Sequence, residues 1–423
     1  MWPVLTKKTF RAFFGVQFLG AFNDNLFKNA LVILITFKLS ESLEQTGLLV
    51  TLAAGLFILP FLLFSPLAGQ IADAYDKRQL IRKIKLAEVG IMLFGGIALI
   101  QQSIELLLFS LFLMGVQSAF FGPIKYAFLP EILPENQLVQ GNALFSGSTF
   151  VAILLGTILG GIGVMLENGI YWMAATVLLV ALLGYGLSFS LGAIGVKPTA
   201  AEPLRVFGKA WPMVKQARQH KAAFFAVLGI SWFWFFGAVI LSQIPTWVKY
   251  DLAADDQVVV WFLTLFSIGI AIGSAAIAQH LQGKVHLRWH PLLLLMMSLS
   301  LFTAVWMSVL HLSSVTAQDA SIMSLSALLM SSSGVLLSLS FFLMAVFGGA
   351  YIVPLYTLMQ SQTPAAQRGQ MIAVNNLFNS GLMVLSSILI MLGFAIGLSL
   401  ATILSTLAVI NILVILGFRN KNL

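Results

Sequence analysis

Apolar runs long enough to cross a bilayer recur along the whole chain, broken by short polar loops. A membrane-crossing helix needs about 20 predominantly apolar residues. Twelve runs meet that length: 10–37, 47–71, 84–102, 105–128, 138–165 and 169–193, then 222–248, 257–281, 291–312, 334–359, 371–394 and 396–418. The pattern predicts an all-α membrane protein with twelve transmembrane helices. The longest polar stretch, 196–221, divides the runs six and six. The expected organisation is an N-terminal six-helix bundle over 1–195, a cytoplasmic linker over 196–221 and a C-terminal six-helix bundle over 222–423.

The halves echo each other. Arg11, Phe13 and Phe14 open the first run as Lys221, Phe224 and Phe225 open the seventh. Pro123, Pro134, Asn142 and Phe145 are matched by Pro354, Pro364, Asn375 and Phe378, at offsets of about 230 residues, while the opening runs are offset by about 210. The Ser-rich stretch 313–333 accounts for the difference and is expected as an extracytoplasmic loop or a short interfacial helix. Two six-helix pseudo-repeats of the same orientation, joined by a cytoplasmic loop, are how parallel-repeat transporters are built. Within the linker, Leu204, Phe207, Trp211 and Val214 recur at helical spacing with Arg205, Lys209, Lys215 and Arg218 between them. That fits a basic amphipathic helix on an anionic membrane face, and it fits a solvated linker equally; Pro212 would bend or restart a helix there.

Composition agrees with the pattern. The chain is 59% hydrophobic and 9% charged, with a mean hydropathy of +0.96, against about 25% charged residues in soluble domains. It has no cysteine, which excludes disulfides, thiol catalysis and cysteine metal sites. No histidine spacing suggests a metal site, and His280, His286 and His290 read as solvated members of one basic loop. The first apolar run is too long for the core of a cleavable signal peptide. The net charge of +8 does not indicate nucleic acid, because the cations fall in alternating loops. Loops after odd-numbered runs carry only Lys38 and Lys249 as cations, beside acids such as Glu41, Glu44, Asp255 and Asp319, whereas Lys77, Arg78, Arg82, Lys83, Arg288 and Arg368 occupy the others. This positive-inside asymmetry places both termini in the cytoplasm. No phosphate-cradling motif is present, so ATP hydrolysis, any other enzymatic activity and a cofactor are not expected.

Candidate chemistry begins at Asp24, about 14 residues into the first run and flanked by Asn23, Asn25, Lys28 and Asn29. A carboxylate near the bilayer midplane costs about 2.5–3.5 kcal/mol on insertion scales, so it carries a partner or a task. Asp24 and Lys28 are spaced to share a helix face. They read either as a mutually neutralising pair that holds helices together or as a polar site lining a path through the membrane. Glu88 is expected to pair with a cation such as Lys85. Gly156, Gly160, Gly161 and Gly163 read as close-packing residues. Trp232, Phe233, Trp234, Phe235 and Phe236 form an apolar stripe that reads as packing surface or as a wall for an acyl chain.

The loop after the second run contains Gly69, Asp73, Lys77 and Arg78. It resembles the Gly-x3-Asp-x3-basic-basic signature of the major facilitator superfamily, and with the topology and repeat the resemblance spans the entire chain. It implies the major facilitator fold and a latch, in which the glycine permits close helix approach and the acid meets a helix N-terminus or an arginine across the halves. Two further strings, Gly20 to Asn25 and Gly122 to Tyr126 with Pro130 and Glu131 following, resemble the lysophospholipid transporter branch of that superfamily. This implies a lysophospholipid flippase, chiefly for lysophosphatidylethanolamine, working by alternating access without ATP in a bacterial inner membrane. It also implies a functional link to an acyltransferase or acyl-carrier-protein synthetase, domains to which some relatives are fused. The resemblance carries Asp24, Asn25, Lys125 and Tyr126 as substrate-binding residues, and Lys28 joins them on spacing alone. A carboxylate suits the ammonium of the headgroup and a lysine its phosphate, although Lys125 could also snorkel to lipid headgroups. The fold needs only one chain, so a monomer is expected. Two alternatives stay open. One is a proton-coupled permease or exporter of a small molecule, titrating Asp24; the other is a non-transporting membrane scaffold or sensor.

Overall fold

A computed structural model of the chain describes residues 6–133, 135–192, 210–281, 287–314, 322–364 and 367–419, at some helical positions the backbone only. Among the described residues the chain is helical nearly throughout. The one extended pairing there is a single bridge between Ala254 and Met323. The helices are α1 (Lys8–Leu34), α2 (Leu43–Ala74), α3 (Lys77–Gln101), α4 (Ile104–Ile132), α5 (Glu135–Met165), α6 (Gly169–Ser188) and α7 (Ala210–Ala217). They continue with α8 (Lys221–Thr246), α9 (Asp256–Leu281), α10 (His290–Ser314), α11 (Leu325–Met330), α12 (Ser332–Ser361), α13 (Arg368–Ala395) and α14 (Leu400–Arg419). Eleven are long and apolar enough to cross a membrane, and α5 contributes the apolar segment Val151–Met165. Each apolar run of the sequence therefore corresponds to a helix, and the protein is a multi-pass membrane protein.

The helix boundaries have local causes. Between α2 and α3 the chain turns within two residues, and Asp76 caps α3 by accepting the Gln79 N–H at 2.9 Å. A side-chain cap of this kind satisfies one of the orphan donors of the first turn. Ser103 caps α4 and Ser331 caps α12 in the same way. Gln102 closes α3 in the left-handed conformation at φ 53. Helix α7 is described from Ala210 to Ala217 and contains Pro212. The Ser-rich insert carries the six-residue α11. Residues 193–209, which include Leu204 and Phe207, lie outside the described residues.

The chain divides into two compact units, one of residues 1–35 and 56–210 and the other of residues 36–55 and 211–423. In the first unit, the aromatic residues that open α1 pack with those of α4 and α5: Phe13 lies 4.8 Å edge-on from Phe128 and 5.1 Å from Phe145. The second unit makes the equivalent contact, with Phe224 of α8 edge-on to Phe378 of α13 at 5.5 Å. The residues that signal the repeat in sequence thus pack on one another within each unit. A second correspondence was not legible beforehand: α1 and α8 each end in a five-residue π-helical turn, Ile35–Leu39 and Trp247–Asp251.

Helix α5 lies hard against α1 because Gly156 and Gly160 present no side chain. A Cβ on Gly156 would fall 2.5 Å from the Phe22 carbonyl oxygen, and one on Gly160 would overlap the Leu26 carbonyl. Small residues that allow backbones to approach are the usual means of helix association in lipid. In the second unit, Lys249 donates to the carbonyls of Thr36 and Ser40, Gln243 donates to Thr51 at 2.7 Å, and Tyr250 meets Thr46 at 2.9 Å. His290 is buried, its ring nitrogens against the carbonyls of Leu287 and Tyr351. This corrects its reading as a solvated loop residue, since it starts α10 rather than ending the loop.

Candidate functional site

The polar cassette of α1 spreads onto three neighbours. Successive residues of an α-helix differ by about 100° in direction, so adjacent side chains in the cassette face different helices. Asn23 donates to the Val177 carbonyl of α6 at 3.1 Å. Asn29 donates to Thr157 of α5 at 3.1 Å and to the Asn25 carbonyl at 2.8 Å. Asp24 faces α4, where its Oδ2 accepts the Ser118 hydroxyl at 2.6 Å. Its Oδ1 is buried without a hydrogen-bond partner.

Lys28 makes no direct contact with Asp24, although its charge acts on the carboxylate from nearby. No ion pair joins them among the described residues; Lys28 donates to Asn25 Oδ1 at 3.0 Å, with its ammonium 5.5 Å from the centre of the Phe57 ring. The spacing allowed the pair, but Ser118 claims the carboxylate. Asn25 is therefore a partner of Lys28, and its own amide donates to the Ala21 carbonyl at 2.8 Å.

Lys125 lies seven residues after Ser118 on α4 and donates to Thr149 of α5 at 3.0 Å. Gln17 of α1 donates to the same Thr149 hydroxyl at 2.6 Å and accepts from Ser148 at 3.1 Å. Helices α1 and α4 thus run antiparallel, with Gln17 near the level of Lys125 and Asp24 near that of Ser118. Seven helical residues rise about 10 Å, so carboxylate and ammonium sit on one side of α1 at levels about that far apart. A lysine side chain is long enough to close much of that gap. The side chain of Tyr126 lies outside the described residues. Gln17, Ser118 and Thr149 were missed from the sequence. The available signal was a polar residue seven positions from each candidate charge, Gln17 from Asp24 and Ser118 from Lys125.

Helix α3 adds an ion pair closed off from solvent: Lys85 Nζ lies 2.6 Å from Glu88 Oε2, the side chains 0% and 1% exposed. The expected pairing of Glu88 with Lys85 is made, inside the helix packing rather than at a loop.

The loop residues sit apart from this cluster. Lys77 pairs with Glu131 of α4 at 2.6 Å, both partly exposed. Arg78 has a buried Nε without a hydrogen-bond partner, and the Asp73 side chain lies outside the described residues. Among the described residues a Cβ on Gly69 would meet nothing within 4 Å. In the second unit the aromatic stripe of α8 serves packing: Trp232 donates to Asn411 at 2.8 Å, Trp234 to Tyr356 at 3.1 Å, and Phe233 stacks on Tyr351 at 6.5 Å.

Comparison with known proteins settles the family. The sequence profile of the Major Facilitator Superfamily matches residues 13–387. The chain belongs to the Major Facilitator Superfamily. A protein of Escherichia fergusonii named lysophospholipid transporter LplT is 27% identical over 92% of this chain and 88% of its own length. The LplT of Escherichia coli O1:K1 is 27% identical over the same shares. Among solved structures, a POT family transporter in complex with 5-aminolevulinic acid superposes with a TM-score of 0.73 at 14% identity, covering 97% of this chain and 95% of that one. A bacterial homologue of the iron transporter ferroportin gives 0.69 at 12% identity, covering 98% and 99%.

This facilitator is a transporter and not an enzyme, and its chemistry is that of binding. Its first unit holds two carboxylates, three lysines, amides and hydroxyls inside membrane-spanning helices. Ionic contacts in so poorly polarisable a medium are stronger than in water. A carboxylate oxygen with no partner there is costly to leave as it is, so Asp24 can stabilise a cationic or proton-donating group brought to it.

Proposed function

We propose that this transporter moves lysophospholipids, lysophosphatidylethanolamine among them, across the inner membrane of a bacterium by alternating access without ATP, both chain termini facing the cytoplasm. Asp24 takes the ammonium of the headgroup, Lys125 its phosphate, and Asn25, Lys28 and Tyr126 complete the polar lining. The single acyl tail stays against apolar helix faces or in lipid. Gly69, Asp73, Lys77 and Arg78 act as the latch, and the helices over 1–195 and 222–423 act as the two bundles, joined by the linker 196–221. The observation that carries the reading is the placement of Asp24 and Lys125, opposite charges about 10 Å apart in level along the same pair of membrane-spanning helices. The 27% identity to proteins named lysophospholipid transporters supports the same cargo. A functional link to a re-acylating enzyme and a monomeric state follow from this reading.

The test is uptake of labelled lysophosphatidylethanolamine into proteoliposomes by wild type, Asp24→Asn and Lys125→Ala, with folding checked by thermal melting. Wild-type uptake is expected to fall at least tenfold in each variant, the loss of one charge-assisted contact of about 1.5–3 kcal/mol. Wild-type uptake no greater than that of empty vesicles would sink the lysolipid reading. Accumulation of a small soluble substrate driven by a proton gradient, and abolished in Asp24→Asn, would replace it.

A further inference from the structure

The buried pair on α3 is connected to Asp24. Glu88 Oε2, which holds Lys85, also accepts the Gln117 side-chain amide at 3.0 Å. Gln117 in turn presents its Oε1 to the Ser118 hydroxyl at 3.1 Å, and that hydroxyl donates to Asp24 Oδ2 at 2.6 Å. The orientation of each link follows from the one before it. An ionised carboxylate accepts only, so Gln117 must turn its nitrogen toward Glu88 and its oxygen toward Ser118. Both neighbours of the Ser118 hydroxyl are then acceptors that share its single proton, and Asp24 draws the shorter bond.

The far end of the chain is built to hold a charge. The Lys85 ammonium is 5.4 Å from the centre of the Phe121 ring. It fits because two helices present glycines to it: a Cβ on Gly20 would fall 2.7 Å from Nζ, and one on Gly184 3.6 Å. Glu88 is its one acidic partner among the described residues, and Glu88 Oε1, like Asp24 Oδ1, is buried without a partner. Gly20 lies one turn before Asp24, so the same stretch of α1 supplies the carboxylate and the room for the lysine that anchors the network.

We propose that Glu88, Gln117 and Ser118, anchored by Lys85, are positioning residues for Asp24, fixing its Oδ2 so that Oδ1 is left available to the cargo. None of the three contacts the cargo; they act through Asp24. The proposal rests on the reading of Asp24 as a headgroup ligand, and it predicts that changing Gln117, which does not touch Asp24, alters Asp24 all the same. A network in which each member fixes the next rigidifies a site beyond what single contacts do.

The experiment uses the full chain in lipid nanodiscs and proteoliposomes, with Ser118→Ala, Ser118→Thr and Gln117→Leu. The infrared carboxylate and carboxyl bands of Asp24 are assigned in aspartate-labelled protein by their loss in Asp24→Asn, and the stronger of the two is followed. It is expected to move in Ser118→Ala and in Gln117→Leu and to return in Ser118→Thr, which keeps the hydroxyl. In uptake of lysophosphatidylethanolamine, Ser118→Ala and Gln117→Leu are expected to raise KM about tenfold, with maximal rate within about twofold of wild type, and Ser118→Thr to recover. An Asp24 band unmoved by Gln117→Leu overturns the relay, whatever the uptake. So does a loss of maximal rate at unchanged KM in correctly folded variants. Bands that move as expected in a protein without lysolipid uptake support the relay and refute the cargo.

Discussion

The two units solve the problem of polar groups in a membrane differently. Within its helices the second packs neutral groups: Asn411 accepts from Trp232 and donates to the Leu294 carbonyl and Ser298, Asn379 accepts from Ser231, and His290 lies between two carbonyls, while its partly buried charges Lys249 and Asp251 sit in the turn that ends α8. The first buries charge, with Lys85 and Glu88 closed off from solvent and Asp24, Lys28 and Lys125 partly buried on facing helices. Neutral contacts in a membrane are worth about 0.6 kcal/mol each on average, enough to fix helix register. Charges there cost more than they return in stability. Their concentration in one unit is what a binding function would require and what packing alone would not.

The largest expected effect comes from splitting the buried pair. Lys85→Met leaves Glu88 without its counter-ion and is expected to cost about 3–5 kcal/mol, read as a large drop in the thermal midpoint in nanodiscs. Adding Glu88→Leu is expected to restore most of that stability, because two apolar side chains replace a pair that had to be desolvated. A single variant as stable as wild type would erase the contrast between the units. In the second unit Asn411→Leu removes three hydrogen bonds of modest worth and is expected to cost about 1–2 kcal/mol, with no rescue by a second substitution. A loss as large as that of Lys85→Met would show that neutral networks bear equal weight. The smallest effect is expected at the partly exposed Lys77–Glu131 pair. Glu131→Gln is expected to change stability by less than about 1 kcal/mol, an effect that shrinks further as salt is raised.

Much of the fold could be read in advance, and less of the site. The apolar runs located the helices long enough to span a membrane, and the echo of Phe13 and Phe145 by Phe224 and Phe378 marked a contact that both units make. At the site, the sequence pointed to Asp24, Lys28, Lys125 and the Lys85–Glu88 pair because charges stand out against an apolar background. It did not point to Ser118, Gln117, Thr149 or Gln17, since serines, threonines and glutamines are unremarkable in such helices. It left open a partner for Asp24 within its own helix and suggested a solvated His290, where the fold supplies Ser118 and a buried imidazole.

The sequence by itself determined what depends on neighbours along the chain: helix length from the apolar runs, turns from Asp76 and Ser103, and an ion pair between residues three apart. Tertiary structure decided what depends on how the helices are rotated against one another. Ser118 is 94 residues from Asp24, and Thr157 is 128 residues from Asn29. No local pattern specifies such partners. They follow from close packing, which at Gly156 and Gly160 draws α1 against α5 and thereby fixes the direction in which every side chain of α1 points.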